Sequence, residues 1–199
     1  MRVILASNSP RRREILSGLG LTFEVKGAHT DERSDIDDPV SLVKELALRK
    51  GLCAREELAS KGEWNESTVL IAADTVVAVG NEILGKPRDA ADADRMLALL
   101  SDTRHRVVSG VALFCGDRIG TDADTTLVSF GPMPKEAREW YIRSKEPFDK
   151  AGAYAIQGLA SLFIKGIEGD YFNVVGLPVY VLNRLSERML SRSLTELSK

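Results

Sequence analysis

The chain has 199 residues, 44% of them hydrophobic, and a formal net charge of −2. That length supports one sizeable core but is short for two, so a single domain over residues 1–199 is expected, with a frayed polar tail from Ser191. Mixed charge argues against a nucleic-acid surface, and no apolar run is long enough to span a bilayer.

Val3-Ile4-Leu5-Ala6 reads as the end of a short buried strand over Arg2–Ala6. This start mimics a signal peptide only briefly, since its apolar stretch is short and charge follows at once, which points to the cytosol. Ser7-Asn8-Ser9-Pro10 then opens a helix, with Ser9 at the N-cap and Pro10 at the first helical position. Arg11, Arg12 and Arg13 follow directly. Cations at the positive end of a helix are unfavourable unless an anion sits on them. Free N–H groups, serine hydroxyls and guanidinium forks together form a phosphate site. The alternative is a solvated basic turn, or a handle for acidic lipid or nucleic acid.

The helix stops at Gly20, and Thr22–Lys26 forms a second strand. A polar loop over residues 30–38 carries Asp31 and Glu32 and ends at Asp38-Pro39, an acidic N-cap. The next helix runs to about Leu58, with Val43, Leu46, Ala47, Cys53, Ala54 and Glu57 at helical spacing. Lys50 falls on the same stripe. A lysine there snorkels to the nearest water, or points into a polar cleft at the edge of the core.

Thr68–Val79 is a long apolar strand with Asp74 in its middle. A buried Asp is rare unless paired, so Asp74 is the leading candidate for chemistry outside the first helix. After a turn at Gly80-Asn81-Glu82, Lys86 is forced into extended backbone by Pro87. Asp89 caps a helix over Ala90–Leu100 that turns Ala93, Met96, Leu97 and Leu100 inward. Arg106–Phe114 and Arg118–Val128 form an antiparallel pair turning at Gly116-Asp117. Pro134–Ser144 is a helix with Ala137, Trp140 and Tyr141 on its face. The segment from Glu146 to Gly158 is rich in Gly and Ala, which allow close approach of a ligand or another backbone, and it carries Lys150 and Gln157. Leu162–Ile167 is a strand. Val174-Val175-Gly176-Leu177-Pro178 leads to a last helix with Val181, Leu182, Leu185 and Met189 as its stripe. The fold class is α/β, with helices flanking a twisted mixed sheet. Cys53 and Cys115 read as buried thiols, and the only histidines, His29 and His105, exclude a His-rich metal site.

The unusual residues suit a polyphosphate with a divalent metal. Magnesium takes one or two carboxylates and keeps waters and phosphate oxygens. Cations stabilise charge moving onto a leaving phosphate, and a carboxylate positions or deprotonates the attacking water.

The segments Ala6-Ser7-Asn8-Ser9-Pro10-Arg11-Arg12, Asp31-Glu32, Leu48-Arg49-Lys50, Ala73-Asp74-Thr75-Val76-Val77, Gly85-Lys86-Pro87-Arg88-Asp89 and Asp149–Gly158 occur in order. With Val174–Pro178, they closely resemble the Maf family of nucleoside triphosphate pyrophosphatases, from Ile4 to about Leu190. The resemblance implies two lobes around a cleft, as in the inosine triphosphate pyrophosphatases. It implies hydrolysis of a nucleoside triphosphate to monophosphate and pyrophosphate with a divalent cation, magnesium or manganese. By position, Asp74 is the proton acceptor. Glu32, Lys50 and Lys86 join it in the catalytic cluster, with Glu32 and Asp74 toward the metal. Ser7, Ser9, Arg12 and Lys150 are on the substrate side, and Arg11, Thr75 and Gln157 match positions tied to substrate choice. A homodimer is compatible with the resemblance.

Asp74-Thr75 and the Lys150–Gly158 segment resemble the dTTP and UTP branch of the family. The Gln157 amide offers a donor and an acceptor to a pyrimidine imide edge. Three blander readings stand beside these: a solvated acidic turn at Glu32, surface lysines at Lys50 and Lys86, and a backbone hydrogen bond for Gln157. Tyr154 reads either as packing or as part of the site, whereas Trp64, Trp140 and Tyr141 read as packing. The alternatives in function are a 7-methyl-GTP or purine nucleotide pyrophosphatase, and a nucleotide-dependent regulator of septum formation.

Overall fold

A computed structural model describes residues 1–27 and 30–197, so His29 lies outside the described residues. The described residues form one mixed sheet with six α-helices around it. Chain order is β1 (Arg2–Ala6), α1 (Pro10–Gly18), β2 (Glu24–Lys26), α2 (Pro39–Ser60), β3 (Thr68–Val79), β4 (Glu82–Leu84), α3 (Ala90–Leu100), β5 (Arg104–Cys115), β6 (Arg118–Phe130), α4 (Lys135–Arg143), β7 (Ile164–Glu168), α5 (Tyr171–Val175) and α6 (Val179–Leu190). The sheet runs β2-β1-β3-β5-β6-β7, with β4 added on β3. β1 is parallel to β2 and β3, and every other pairing is antiparallel. The α/β class and the mixed sheet read from the sequence match this architecture.

One feature of β3 positions the site. β5 pairs with it along one edge from Val69 to Ala78. On the other edge β1 ends at Ala6 opposite Ala72, and β4 begins only at Val77. Ala73–Val76 therefore face a gap, into which the turn from β1 to α1 opens. The apolar run makes β3 the central strand, and the gap gives its carboxylate access to a cleft.

Two glycines seat α2 on this sheet. A Cβ at Gly51 would lie 2.0 Å from the Phe114 ring, and one at Gly110 would lie 2.4 Å from the Val43 carbonyl oxygen. The helix thus lies close to β5, and Lys50, beside Gly51, faces β3. Leu46, Ala47, Ala54 and Leu58 are buried on this contact. Glu57 is exposed and Cys53 only half-buried, so the stripe drifts off both. On the opposite face of the sheet, α1 and α6 cover Val3, Leu5, Ile71 and Val111. A second cluster, built from α3, α4 and the far ends of β3, β5 and β6, contains Leu97, Phe130, Tyr141 and Tyr154.

Several local expectations are corrected. β2 starts at Glu24, because Thr22 and Phe23 precede its pairing with β1. β7 starts at Ile164, after a 3-10 turn over Leu159–Phe163 that leaves Leu162 72% exposed. Val174 and Val175 end a short helix, capped by the Asp170 carboxylate accepting from Phe172 N at 2.8 Å. Of the two aromatic residues read as core or surface packing on α4, Tyr141 is fully buried and Trp140 lies at the surface, within that reading. The tail is not frayed over residues 191–197. Leu194 and Leu197 are buried against the α6 side of the core, and a Ser193–Glu196 capping box closes the turn between them. Spacing alone did not reveal two leucines in a polar context as anchors.

Candidate active site

The gap beside β3 opens into a cleft of about 560 Å³ between the two packing clusters. Glu32, Lys50, Asp74 and Lys86 line it, as do Ser7, Ser9, Arg11, Arg12, Thr75, Lys150 and Gln157. The candidate residues read from the sequence are thus brought together in one place, although they come from elements spread along the chain.

Lys50 organises the α2 side. Its Nζ pairs with Asp74 Oδ1 and lies 2.8 Å from Glu32 Oε1. The Lys50 and Asp74 side chains are only 12% and 11% exposed, so neither charge is bathed in water. Lys50 therefore points into the cleft and does not snorkel to the surface. Desolvation works against charge on Glu32, but the Lys50 hydrogen bond and the fields of Lys50, Lys86 and Arg12 outweigh it and hold the carboxyl below its ordinary pKa. Lys86 is itself exposed, and its turn is tied down by Gly152 N donating to Gly85 O at 3.0 Å.

Arg12 organises the α1 side. Its Nε donates to Gly176 O at 2.7 Å, Nη1 to Ser7 Oγ at 3.3 Å and Nη2 to Thr75 Oγ1 at 3.1 Å. Desolvation pulls this guanidinium below its usual pKa, opposed chiefly by Asp74. A desolvated cation of this kind has strong attraction for an anion. Ser7 Oγ also accepts from Ser9 N at 3.2 Å, whereas the Ser9 side chain makes no capping hydrogen bond. Ser9 is the N-cap by backbone, but Ser7 does the hydrogen bonding. Pro10 sits at the first helical position as expected.

Arg11 reaches across the mouth to Asp149 Oδ2 at 3.4 Å. Asp149 also pairs with Lys150 Nζ at 2.5 Å, and that ammonium donates to Glu146 O at 2.6 Å. Lys150 is therefore folded onto its own turn. Gln157 is exposed at the cleft edge. Its loop is pinned by Glu146, which accepts from Tyr141 OH at 2.8 Å and Leu159 N at 3.2 Å. Tyr154 resolves as mostly packing: it is 5% exposed, with its hydroxyl 2.7 Å from His105 Nε2.

The donor set suits a hard cation that arrives with its own oxygen ligands. Two carboxylates converge on one point, held there by Lys50 Nζ. Among the described residues, no group of three or more His, Cys, Asp or Glu is arranged to hold a metal by itself. Magnesium and manganese accept such partial protein ligation when phosphate oxygens complete the shell. Among the described residues no helix is long and apolar enough to cross a membrane.

Ser109 and Asn173 were not singled out in the sequence. Both are fully buried behind Thr75. Ser109 was detectable as a lone hydroxyl in the apolar run Val107-Val108-Ser109-Gly110-Val111. Asn173 carried no local signal.

A family model described as Maf-like protein matches residues 2–189. Curated relatives named dTTP/UTP pyrophosphatase cover most of the chain. The protein of Symbiobacterium thermophilum is 44% identical over 180 residues, 90% of this chain and 89% of the relative. That of Thermosipho africanus is 45% identical over 179 residues, 90% and 88% of the two chains. That of Alkaliphilus oremlandii is 47% identical over 185 residues, 91% and 92% of the two chains.

Proposed function

The chain belongs to the Maf-like protein family, and from that premise we propose that it hydrolyses dTTP and UTP to the monophosphate and pyrophosphate. The observation that carries this reading is the Lys50 ammonium held between Glu32 and Asp74 on the wall of a cleft that also contains Arg12. Relatives bearing the name dTTP/UTP pyrophosphatase support the choice of nucleotide.

In this reading the triphosphate lies between the start of α1 and the turn at Lys86. Arg12, desolvated and already oriented by three hydrogen bonds, takes phosphate oxygens. Ser7, Ser9 and the first N–H groups of α1 add neutral donors. Water attacks the α-phosphorus, its proton passes to Asp74, the bond from that phosphorus to the bridging oxygen breaks, and pyrophosphate leaves. Lys50 holds the Asp74 carboxylate in place to accept that proton. Lys86 and Arg12 stabilise the charge that grows on the leaving group. Glu32 and Asp74 would hold a magnesium or manganese ion, which supplies charge neutralisation on the phosphates when bound. Arg11, Thr75 and Gln157 contact the nucleoside. Residues 1–199 act as one domain, in the cytosol, and a homodimer belongs to the same proposal.

The test is pyrophosphate release from a nucleotide panel with magnesium or manganese, using wild type beside Asp74→Asn. Release from dTTP and UTP, reduced on the order of 10²-fold or more in the variant, supports the reading. A preference for 7-methyl-GTP or a purine overturns the substrate. Nucleotide binding with no turnover overturns the reaction.

A further inference from the structure

Proton counting along a buried chain of hydrogen bonds fixes which way Thr75 faces the cleft. Ser109 lies directly opposite Thr75 in the β3–β5 ladder, and their hydroxyl oxygens are 2.8 Å apart. A hydroxyl has one proton. That of Ser109 is committed to the Asn173 carbonyl oxygen at 2.8 Å, since a carbonyl only accepts. Thr75 therefore donates to Ser109, because the other acceptor in reach, the Gly176 carbonyl oxygen, is 3.5 Å away and beyond a good O–H···O distance. Its own oxygen accepts from Arg12 Nη2, leaving only acceptor capacity toward the cleft.

The far end of the chain is rigid. The Asn173 side chain accepts from Ser109 N at 3.1 Å and donates to Val107 O at 2.9 Å and Thr126 Oγ1 at 3.0 Å. Asn173, Ser109 and Thr126 are each 0% exposed, so water cannot exchange with these bonds. The same short helix ends at Gly176, whose carbonyl holds Arg12 Nε.

We propose that Ser109, locked by Asn173, is a positioning residue that keeps the Thr75 hydroxyl an acceptor, so that the cleft selects a base carrying an N–H donor, such as the imide of thymine or uracil, over cytosine. The inference rests on the reading above, in which Thr75 meets the nucleoside. Cytosine lacks the imide proton at its ring nitrogen, so its lone pair would oppose that of Thr75.

The test compares dTTP with dCTP in wild type, Ser109→Ala, Thr75→Val and the double variant. Pyrophosphate release gives kcat and KM, and titration calorimetry gives binding without turnover. Ser109→Ala removes the acceptor at 2.8 Å and leaves the Thr75 proton only the long contact to the Gly176 carbonyl oxygen at 3.5 Å or a partner in the cleft. The preference for dTTP over dCTP is expected to fall roughly five-fold, through KM, with little change in kcat. The effect is expected to vanish in the Thr75→Val background, because Ser109 acts only through that hydroxyl. Ser109→Cys, a weak donor, should fall between and serves if the alanine variant folds poorly. An unchanged preference in a folded Ser109 variant, an effect additive with Thr75→Val, or a wild type indifferent to the two bases overturns the inference. If wild type binds dTTP over dCTP but hydrolyses neither, the proposed reaction fails. The inference then stands or falls on whether the Ser109 variants lose that binding preference.

Discussion

Asp74 and Thr75 are chain neighbours that serve opposite faces of the sheet. Asp74 turns to α2 and pairs with Lys50, while Thr75 turns to α1 and accepts from Arg12. Side chains alternate along a strand, so one dipeptide in the gap beside β3 meets both halves of the cleft. Replacing either residue should break hydrogen bonds only on its own side, although the charge of Asp74 also reaches Arg12.

Lys50→Met tests the α2 side. It leaves Asp74 and Glu32 facing each other without the ammonium between them, so it should lower stability by about 2–3 kcal/mol and abolish turnover. Adding Asp74→Asn to it should recover part of that stability. Denaturant titrations of both variants check this, and a double variant less stable than Lys50→Met contradicts the shared-charge account.

The seat of α2 is tested at Gly110. An added methyl would meet the Val43 carbonyl oxygen at 2.4 Å and Lys44 N at 2.9 Å, both backbone atoms that cannot turn aside. Gly110→Ala should cost about 2–3 kcal/mol and, by lifting Lys50 from Asp74, reduce kcat on the order of ten-fold or more. Gly18→Ala, with nothing within 4 Å, is the control and should leave both almost unchanged. Thermal melts and initial rates distinguish the two outcomes.

Chelation of divalent cations should stop pyrophosphate release, and magnesium or manganese should restore it. Either ion added without nucleotide should leave the melting temperature of wild type unchanged, since Lys50 already satisfies both carboxylates. In the Lys50→Met variant the same ion should raise it. Calorimetric scans with and without the ion provide the measurement.

Stability should fall with acid over a defined window. Burial lowers the His105 pKa from 6.5 to about 4. The unfolded chain thus takes up a proton that the folded one refuses. The stabilisation from neutral His105 is complete above pH 6.5, is lost as pH falls toward about 4, and amounts to about 3 kcal/mol at most. Glu32 and Glu24, whose pKa values are lowered, add losses below the ordinary carboxylate range. Unfolding free energies of wild type and His105→Gln from pH 7 to pH 4 isolate the histidine part. Parallel curves would contradict it.

The sequence by itself determined several of the local elements and which residues were candidates for the site. β1, β3 and α3 follow from an apolar run or a helical stripe bounded by a cap, and their ends match the structure. A carboxylate in mid-strand and three arginines at a helix start violate local rules, so Asp74 and Arg12 were visible without coordinates. Tertiary structure alone decided which groups meet. Lys50 became a partner of Asp74 because two glycines, distant in sequence, let α2 close on β5. Leu194 and Leu197 became core because α6 turns back, although their neighbours are polar. Asn173 acquired its place from three acceptors and donors on β5 and β6. Propensity and periodicity act over a few residues, whereas pairing of a buried charge or amide is set by whichever chain segment packs against it.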